Sequence, residues 1–283
     1  MATQIVMLGT GTPYPDPDRS GPATAIVVDD TPYLIDFGPG VIRRVAAAYR
    51  NGVTAFGRSA VNIKTVFLTH LHSDHTMGYP DLIFTPWIMG RTGPLTAYGP
   101  PGFKAMTDNI LKAWQIDINV RAERLQNSDS YRVDAHEIAP GVIYRDHNVA
   151  VTAFPVHHHE MKDSFGFRFE TPDRTIVISG DTTPTDALID NARGCDVLIH
   201  EAYSVASYGK LTSAWQEFLR THHTSSKELA AIAERVKPGL LILYHQSNAG
   251  GGETGSDDEA ELVGEIRQFY KGNVMTGRDL EVF

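Results

Sequence analysis

Apolar residues along this chain fall into short runs cut by Gly, Pro and Asp. Runs at residues 5–8, 23–29, 33–36 and 64–68 occupy the first third, each of a length that suits a buried strand, and residues 41–49 carry the first helical pattern. The same reading predicts strands at 95–98, 149–154, 165–170, 175–179, 197–199 and 240–244, with helices at 101–122, 184–191, 225–236 and 257–270. Strands cluster with helices between them in both halves, and no Pro/Gly/Ser-rich linker intervenes. The pattern therefore predicts the α/β class and a single domain over residues 1–283. Residues 202–222, with Tyr203, Tyr208, Trp215 and Phe218, and the glycine-rich residues 246–255 show no clear period. Loops of that kind often line substrate sites, although a surface insertion over a small satellite core fits the first segment equally well.

With 283 residues and 42% apolar content the chain can bury a substantial core. No apolar stretch reaches the roughly 18 residues of a membrane span, and the opening residues run into the apolar run without a basic or hydrophobic leader pattern, so no membrane association and a cytoplasmic location are expected. One cysteine, Cys195, excludes an internal disulfide framework and a cysteine-based zinc site; any metal must be held by nitrogen and oxygen. In its apolar surroundings Cys195 reads as packing. A formal net charge of -9 disfavours a polyanionic partner, because proteins that neutralise phosphates carry a surplus of Lys and Arg.

The 12 histidines are not scattered: His70, His72 and His75 form one group and His157, His158 and His159 another. The first lies in Thr69-His70-Leu71-His72-Ser73-Asp74-His75, directly after an apolar strand pattern. Residues two apart on an extended strand end point to the same side, so His70 and His72 can bind one ion together, while Asp74 and His75 at the turn beyond can face a neighbouring ion. Imidazoles and a carboxylate so closely spaced suit a borderline metal such as zinc.

His70-Leu71-His72-Ser73-Asp74-His75 resembles the HxHxDH signature of the metallo-β-lactamase superfamily. The resemblance implies a four-layer αββα sandwich of two mixed β-sheets flanked by helices. It also implies a lone histidine after a later strand, which must be one of His157, His158 and His159; the spacing to Phe165-Gly166-Phe167 is similar to relatives with the ligand at His158. Asp181, in Ser179-Gly180-Asp181-Thr182, matches the aspartate that bridges both cations, with Gly180 supplying a tight turn. His245, after the apolar run 240–244, matches the last ligand. The implied set is His70, His72 and His158 on one ion, Asp74, His75 and His245 on the other, and Asp181 shared. The implied cofactor is a pair of zinc ions about 3.5 Å apart, with manganese or iron as alternatives, holding a bridging hydroxide as nucleophile. Asp36, in Leu34-Ile35-Asp36-Phe37-Gly38, matches the motif whose carboxylate orients a ligand histidine.

Leu8-Gly9-Thr10-Gly11-Thr12-Pro13, Arg19-Ser20-Gly21 and His223-Thr224-Ser225 look like the ribonuclease Z and arylsulfatase branch. The branch implies that His223 acts on the scissile group and that Glu201 holds it, so Asp74, His223 and Glu201 are the catalytic candidates, with His222 a competitor for His223. Thr224 and Ser225 are also good helix caps. Members that process tRNA carry a long basic arm between the lone histidine and the bridging aspartate, and here only 22 residues separate His158 from Asp181. With the acidic balance, this favours a small ester, sulfate or phosphodiester, over nucleic acid. Trp87 and the aromatics of residues 202–222 tilt the expectation toward an aryl leaving group. Lactonase or β-lactamase chemistry, tRNA 3′ processing and a di-iron redox protein are the alternatives. The branch often forms homodimers, and the sequence leaves that open.

Overall fold

The structure is a computed structural model that describes residues 2–247 and 256–283, without the side chains of 247 and 256–258. The expected loop at 246–255 thus falls largely outside the described residues. The chain divides into two compact units, one of Met1–Gly9, Ser20–Ile138 and Asp279–Phe283, the other of Thr10–Arg19 and Ala139–Arg278.

The first unit is built on a six-stranded mixed sheet in the order β1-β2-β3-β4-β5-β6, comprising β1 Thr3–Gly9, β2 Ala23–Val28, β3 Thr31–Ile35, β4 Thr65–Phe67, β5 Leu95–Gly99 and β6 Val133–Glu137. β1 to β3 are antiparallel and β3 to β6 parallel. Val6, Leu8, Leu34, Val66, Leu68 and Ala97 share a core with apolar side chains of helices α1 (Val41–Arg50), α3 (Tyr79–Ile88) and α4 (Phe103–Ala113). A one-turn helix, α2 (Ser73–Thr76), precedes α3. The helical pattern at 101–122 resolves into α4 and α5 (Gln115–Ala122), because Trp114 leaves helical geometry and its ring lies 5.6 Å from that of Phe84. α3 escapes the sequence reading because it is apolar around most of its surface and contains Pro80 and Pro86. Arg91 is fully buried and donates to the carbonyls of Leu82, Ile83 and Ser130; the Leu82 carbonyl, inside α3, would otherwise face Pro86, which has no N–H to offer it.

The second unit carries a seven-stranded sheet in the order β13-β12-β11-β10-β9-β8-β7: β7 Gly141–Arg145, β8 Ala150–His158, β9 Met161–Glu170, β10 Thr175–Ile178, β11 Val197–Tyr203, β12 Leu240–Ser247 and β13 Val274–Thr276. β7 to β10 are antiparallel neighbours and β10 to β13 are parallel. Val177, Leu198, Leu241 and Leu243 pack with helices α6 (Asp186–Ala192), α9 (Ser226–Val236) and α10 (Ser256–Phe269). Residues 202–222, read as aperiodic, contain the one-turn helix α7 (Val205–Tyr208) and α8 (Ser213–His222). Two mixed β-sheets flanked by helices thus agree with the α/β class expected. No helix among the described residues is long and apolar enough to cross a membrane.

Cys195 packs into the second core, and burial pushes its thiol up to about 12, with Asp196 adding to the shift and Arg168 opposing it. Only the thiolate reacts rapidly. Native protein at pH 8 should therefore leave Cys195 unmodified by a disulfide reagent while denatured protein reacts fully; stoichiometric labelling of native protein would contradict this packing.

Candidate metal centre

In the first unit the side chains follow directly from the end of β4. Thr69 passes its backbone N–H to Asp36 Oδ1 at 2.8 Å, and its hydroxyl donates to the same carboxylate. Asp36 Oδ2 lies 2.8 Å from His75 Nδ1. This fixes the His75 ring with Nε2 turned away from the carboxylate, 3.6 Å from Asp74 Oδ2. Asp36 adopts a left-handed backbone, φ 57°, unusual for a residue other than glycine and held here by these bonds. His70 Nε2 and His72 Nδ1 sit 3.1 Å apart. Two nitrogens bound to one zinc are separated by about 2.9 to about 3.4 Å, depending on coordination number, so this pair is already spaced as a chelate. His72 is the N-cap residue of α2, and Asp74 and His75 ride on that turn. The turn is seated by glycines: a Cβ on Gly38 would fall 2.4 Å from the Asp74 carbonyl oxygen, and one on Gly21 2.8 Å from it. These close approaches are why the Phe37-Gly38 and Ser20-Gly21 motifs need glycine.

In the second unit three strand ends supply the candidates. His158 closes β8 and is 1% exposed, whereas His157 and His159 are exposed. Its Nδ1 lies 2.8 Å from the carbonyl oxygen of His222, leaving Nε2 toward Asp181 Oδ2 at 3.9 Å. Asp181 follows β10 through Gly180, whose φ of 62° makes the turn expected of it. His245 is the extra residue of a bulge in β12: Glu201 pairs with Tyr244 and Ala202 with Gln246, skipping it. Its backbone, at φ 44°, is held by donation from its N–H to the Thr10 carbonyl at 3.1 Å, and its Nε2 stands 3.4 Å from Asp181 Oδ2. Thr10, in the opening glycine motif, thus has a role that the sequence did not reveal.

His223 follows α8 in extended conformation, its Nδ1 3.3 Å from Glu201 Oε1. Glu201 is wholly buried and takes backbone N–H bonds from Thr182 and Thr224. Burial and the neighbouring Asp181 carboxylate push its pKa well above the usual carboxylate range, against the opposing pull of His245 and the two N–H donors. His222 points elsewhere: its Nε2 is 3.1 Å from the exposed Glu160, and its Nδ1 2.8 Å from the Phe218 carbonyl oxygen. Ser225 caps α9 in a capping box with Glu228, while the Thr224 hydroxyl donates to the Thr182 carbonyl. Ligand-type atoms of Asp181, His223 and His245, all buried, lie within 4.8 Å of one another. Buried carboxylate and imidazole groups converging in this way fit a cation, which would offset the cost of desolvating the carboxylate.

Two expectations do not survive the geometry. Trp87 is fully buried in the first core, donating its indole N–H to the Asn127 carbonyl, so it lines no substrate surface. Tyr203 is buried against Tyr208, leaving Trp215 and Phe218 as the exposed aromatics of α8.

Comparison with known proteins defines the class. The Beta-lactamase superfamily domain matches residues 31–246, and the chain belongs to that family as a metal-dependent hydrolase of the metallo-β-lactamase superfamily. It is 33% identical to a ribonuclease Z of Mycobacterium bovis over 98% of this chain and 96% of the relative, and 35% identical to a ribonuclease Z of Mycobacterium marinum over 86% and 85%. Among solved structures it is similar to the metallo-β-lactamase fold protein YhfI of Bacillus subtilis, with TM-score 0.73, 19% identity and coverage of 99% and 98% of the two chains. Human tRNase Z, short form, gives TM-score 0.69 at 23% identity, with coverage of 99% and 98%. The sulfate ester expected from the sequence finds no support among these relatives. The expectation that nucleic acid is disfavoured is not supported either: the chain aligns over 98% of its length with 96% of a ribonuclease Z, which leaves little length in that relative for a long additional arm.

Two measurements test the local reading. Asp36→Ala should lower metal affinity about 10- to 100-fold by freeing the His75 ring; isothermal titration with zinc into chelator-treated protein reads it, and unchanged affinity would remove Asp36 from that role. His200, on β11, is wholly buried, and its pKa is pulled down to about 4 by burial, against the raising effects of the Glu201 carbonyl and of Asp181. Its unfolded value is near 6.5, so the unfolded chain binds the extra proton between those limits. The stability associated with its neutral form is complete above about pH 6.5 and declines by about 3 kcal/mol as pH falls toward 4. Denaturant melts of wild type and His200→Leu between pH 4 and 7 should show a shallower acid decline in the variant; parallel curves would refute it.

Proposed function

We propose that this protein hydrolyses phosphodiester bonds in RNA, in the manner of a ribonuclease Z acting at tRNA 3′ ends. The observation that carries this reading is the alignment with a ribonuclease Z over 98% of the chain, a span that takes in the positions of the ligand candidates and of the His223–Glu201 pair. We further propose that the two units work as one domain and that their candidates together hold two zinc ions: His70, His72 and His158 on one, Asp74, His75 and His245 on the other, with Asp181 shared. Zinc suits a nitrogen and oxygen donor set without cysteine. When bound, the ions supply positive charge for the phosphoryl oxygens and lower the pKa of water.

The residues of the chain do the rest. Asp36 keeps the His75 ring in one tautomer, and the His222 carbonyl does the same for His158. His223 stands beside the Asp181 and His245 candidates, with Nδ1 toward Glu201, so Nε2 is the atom that can deliver a proton to the leaving oxygen. Glu201, fixed by two backbone amides, holds that ring in place. A small phosphodiester is the second reading, because cations and an imidazole acting on a phosphoryl centre do not by themselves require a nucleic-acid strand.

Purified protein should contain two zinc ions per chain and cleave a precursor tRNA with a 3′ extension faster than bis-p-nitrophenyl phosphate, with no turnover of p-nitrophenyl sulfate. Turnover of the small diester without cleavage of RNA would select the second reading. His223→Ala should keep both metals and lose about 100-fold or more in kcat. Loss of metal in that variant would make His223 a ligand instead.

A further inference from the structure

We propose that Trp215 and Phe218 form a stacking platform for a nucleobase flanking the scissile phosphate, an inference that rests on the RNA reading above. The two side chains lie one helical turn apart on α8, and Trp215 is 57% exposed and Phe218 38% exposed. Their ring centroids are 5.5 Å apart with planes at 83°, forming a corner with an aromatic face on each side. Lone exposed apolar residues need no explanation, but this pair is joined to the residues that carry the chemistry.

Phe218 is stacked on His222, with ring centroids 4.1 Å apart and planes at 22°, and its centroid is 5.8 Å from that of His223. His222 is immobilised by Glu160 and by the Phe218 carbonyl, and its own carbonyl anchors His158. The platform therefore rests on a fixed ring and stands beside the imidazole proposed to serve the leaving oxygen. The charge of Glu217 on the same helix is matched by Arg220 at 2.7 Å, which limits repulsion of a phosphate backbone.

The ligand chemistry is a flat π-system on a chain of phosphodiesters. Unpaired bases are held by aromatic side chains largely without regard to sequence, so the platform would take any base. An aryl ester offers the same ring without the strand, and the experiment separates the two.

The test uses metal-loaded full-length protein and three RNAs with an unpaired 3′ extension: one intact, and one abasic at each of the two nucleotides flanking the cleaved bond. Phe218→Leu and Trp215→Leu should raise KM for intact RNA about 10-fold, with kcat and metal content near wild type, and Phe218→Tyr should restore KM. In wild type an abasic nucleotide at one of the two positions should cause a similar loss, and that substitution should cost Phe218→Leu nothing further. If abasic RNA is impaired equally in wild type and Phe218→Leu, the platform falls and the RNA reading stands. If the leucine variants are impaired only toward bis-p-nitrophenyl phosphate, an aryl group is the occupant and the nucleobase assignment is wrong. If wild type cleaves none of the RNAs, both readings fall together.

Discussion

A carboxylate withdrawn from water must have its charge met by fixed donors or by a cation, and the chemistry of this protein is arranged around that requirement. Asp36 and Glu201 are the two cases on which the rest depends. Asp36 follows β3 and Glu201 lies within β11, each is almost entirely buried, and each receives a backbone N–H from the neighbour of a candidate histidine, Thr69 beside His70 and Thr224 beside His223. Asp36 thereby settles the orientation of His75, and Glu201 stands against the ring of His223. The His75 ring is consequently held by a hydrogen bond that exists without a ligand, which is the condition for a preorganised site.

Backbone geometry supplies the second layer. His245 faces inward because a bulge inserts one residue opposite Glu201 and Ala202, and a carbonyl from the opening glycine motif holds that bulge in place. Gly21 and Gly38 let their main chains touch the backbone of Asp74. A methyl group at either position would displace the turn that bears Asp74 and His75. These motifs are thus constraints on how closely chain segments approach, and their residue types follow from sterics.

Net charge and the spacing between His158 and Asp181 both pointed away from nucleic acid, and neither describes the surface that a strand would touch. Net charge sums over a surface, while a strand contacts only a part of it, so -9 overall is compatible with a face that binds phosphates. The short spacing from His158 to Asp181 distinguishes this chain from proteins with a long arm, but a ribonuclease Z relative aligns with it at nearly the same length. Trp87 belongs to a core, and the exposed aromatics of residues 202–222, Trp215 and Phe218, lie on α8, with the Phe218 ring centroid 5.8 Å from that of His223.

Local pattern determined what local forces control. Apolar runs placed most strands, the 3.6-residue period placed α1, α6, α9 and α10, and residue spacing after β4 marked His70, His72, Asp74 and His75. Where periodicity was weak or covered by contacts, the sequence was silent: α3 is apolar on most sides, and α4 and α5 separate at a tryptophan that turns to meet Phe84. Among three adjacent histidines, and then two, spacing and resemblance favoured His158 and His223 without supplying a physical reason. Burial and the His222 carbonyl single out His158, and proximity to Glu201 singles out His223. Sequence spacing fixes which groups are available, but the direction in which a ring points depends on the hydrogen bond at its other nitrogen, and that partner comes from a distant strand or helix.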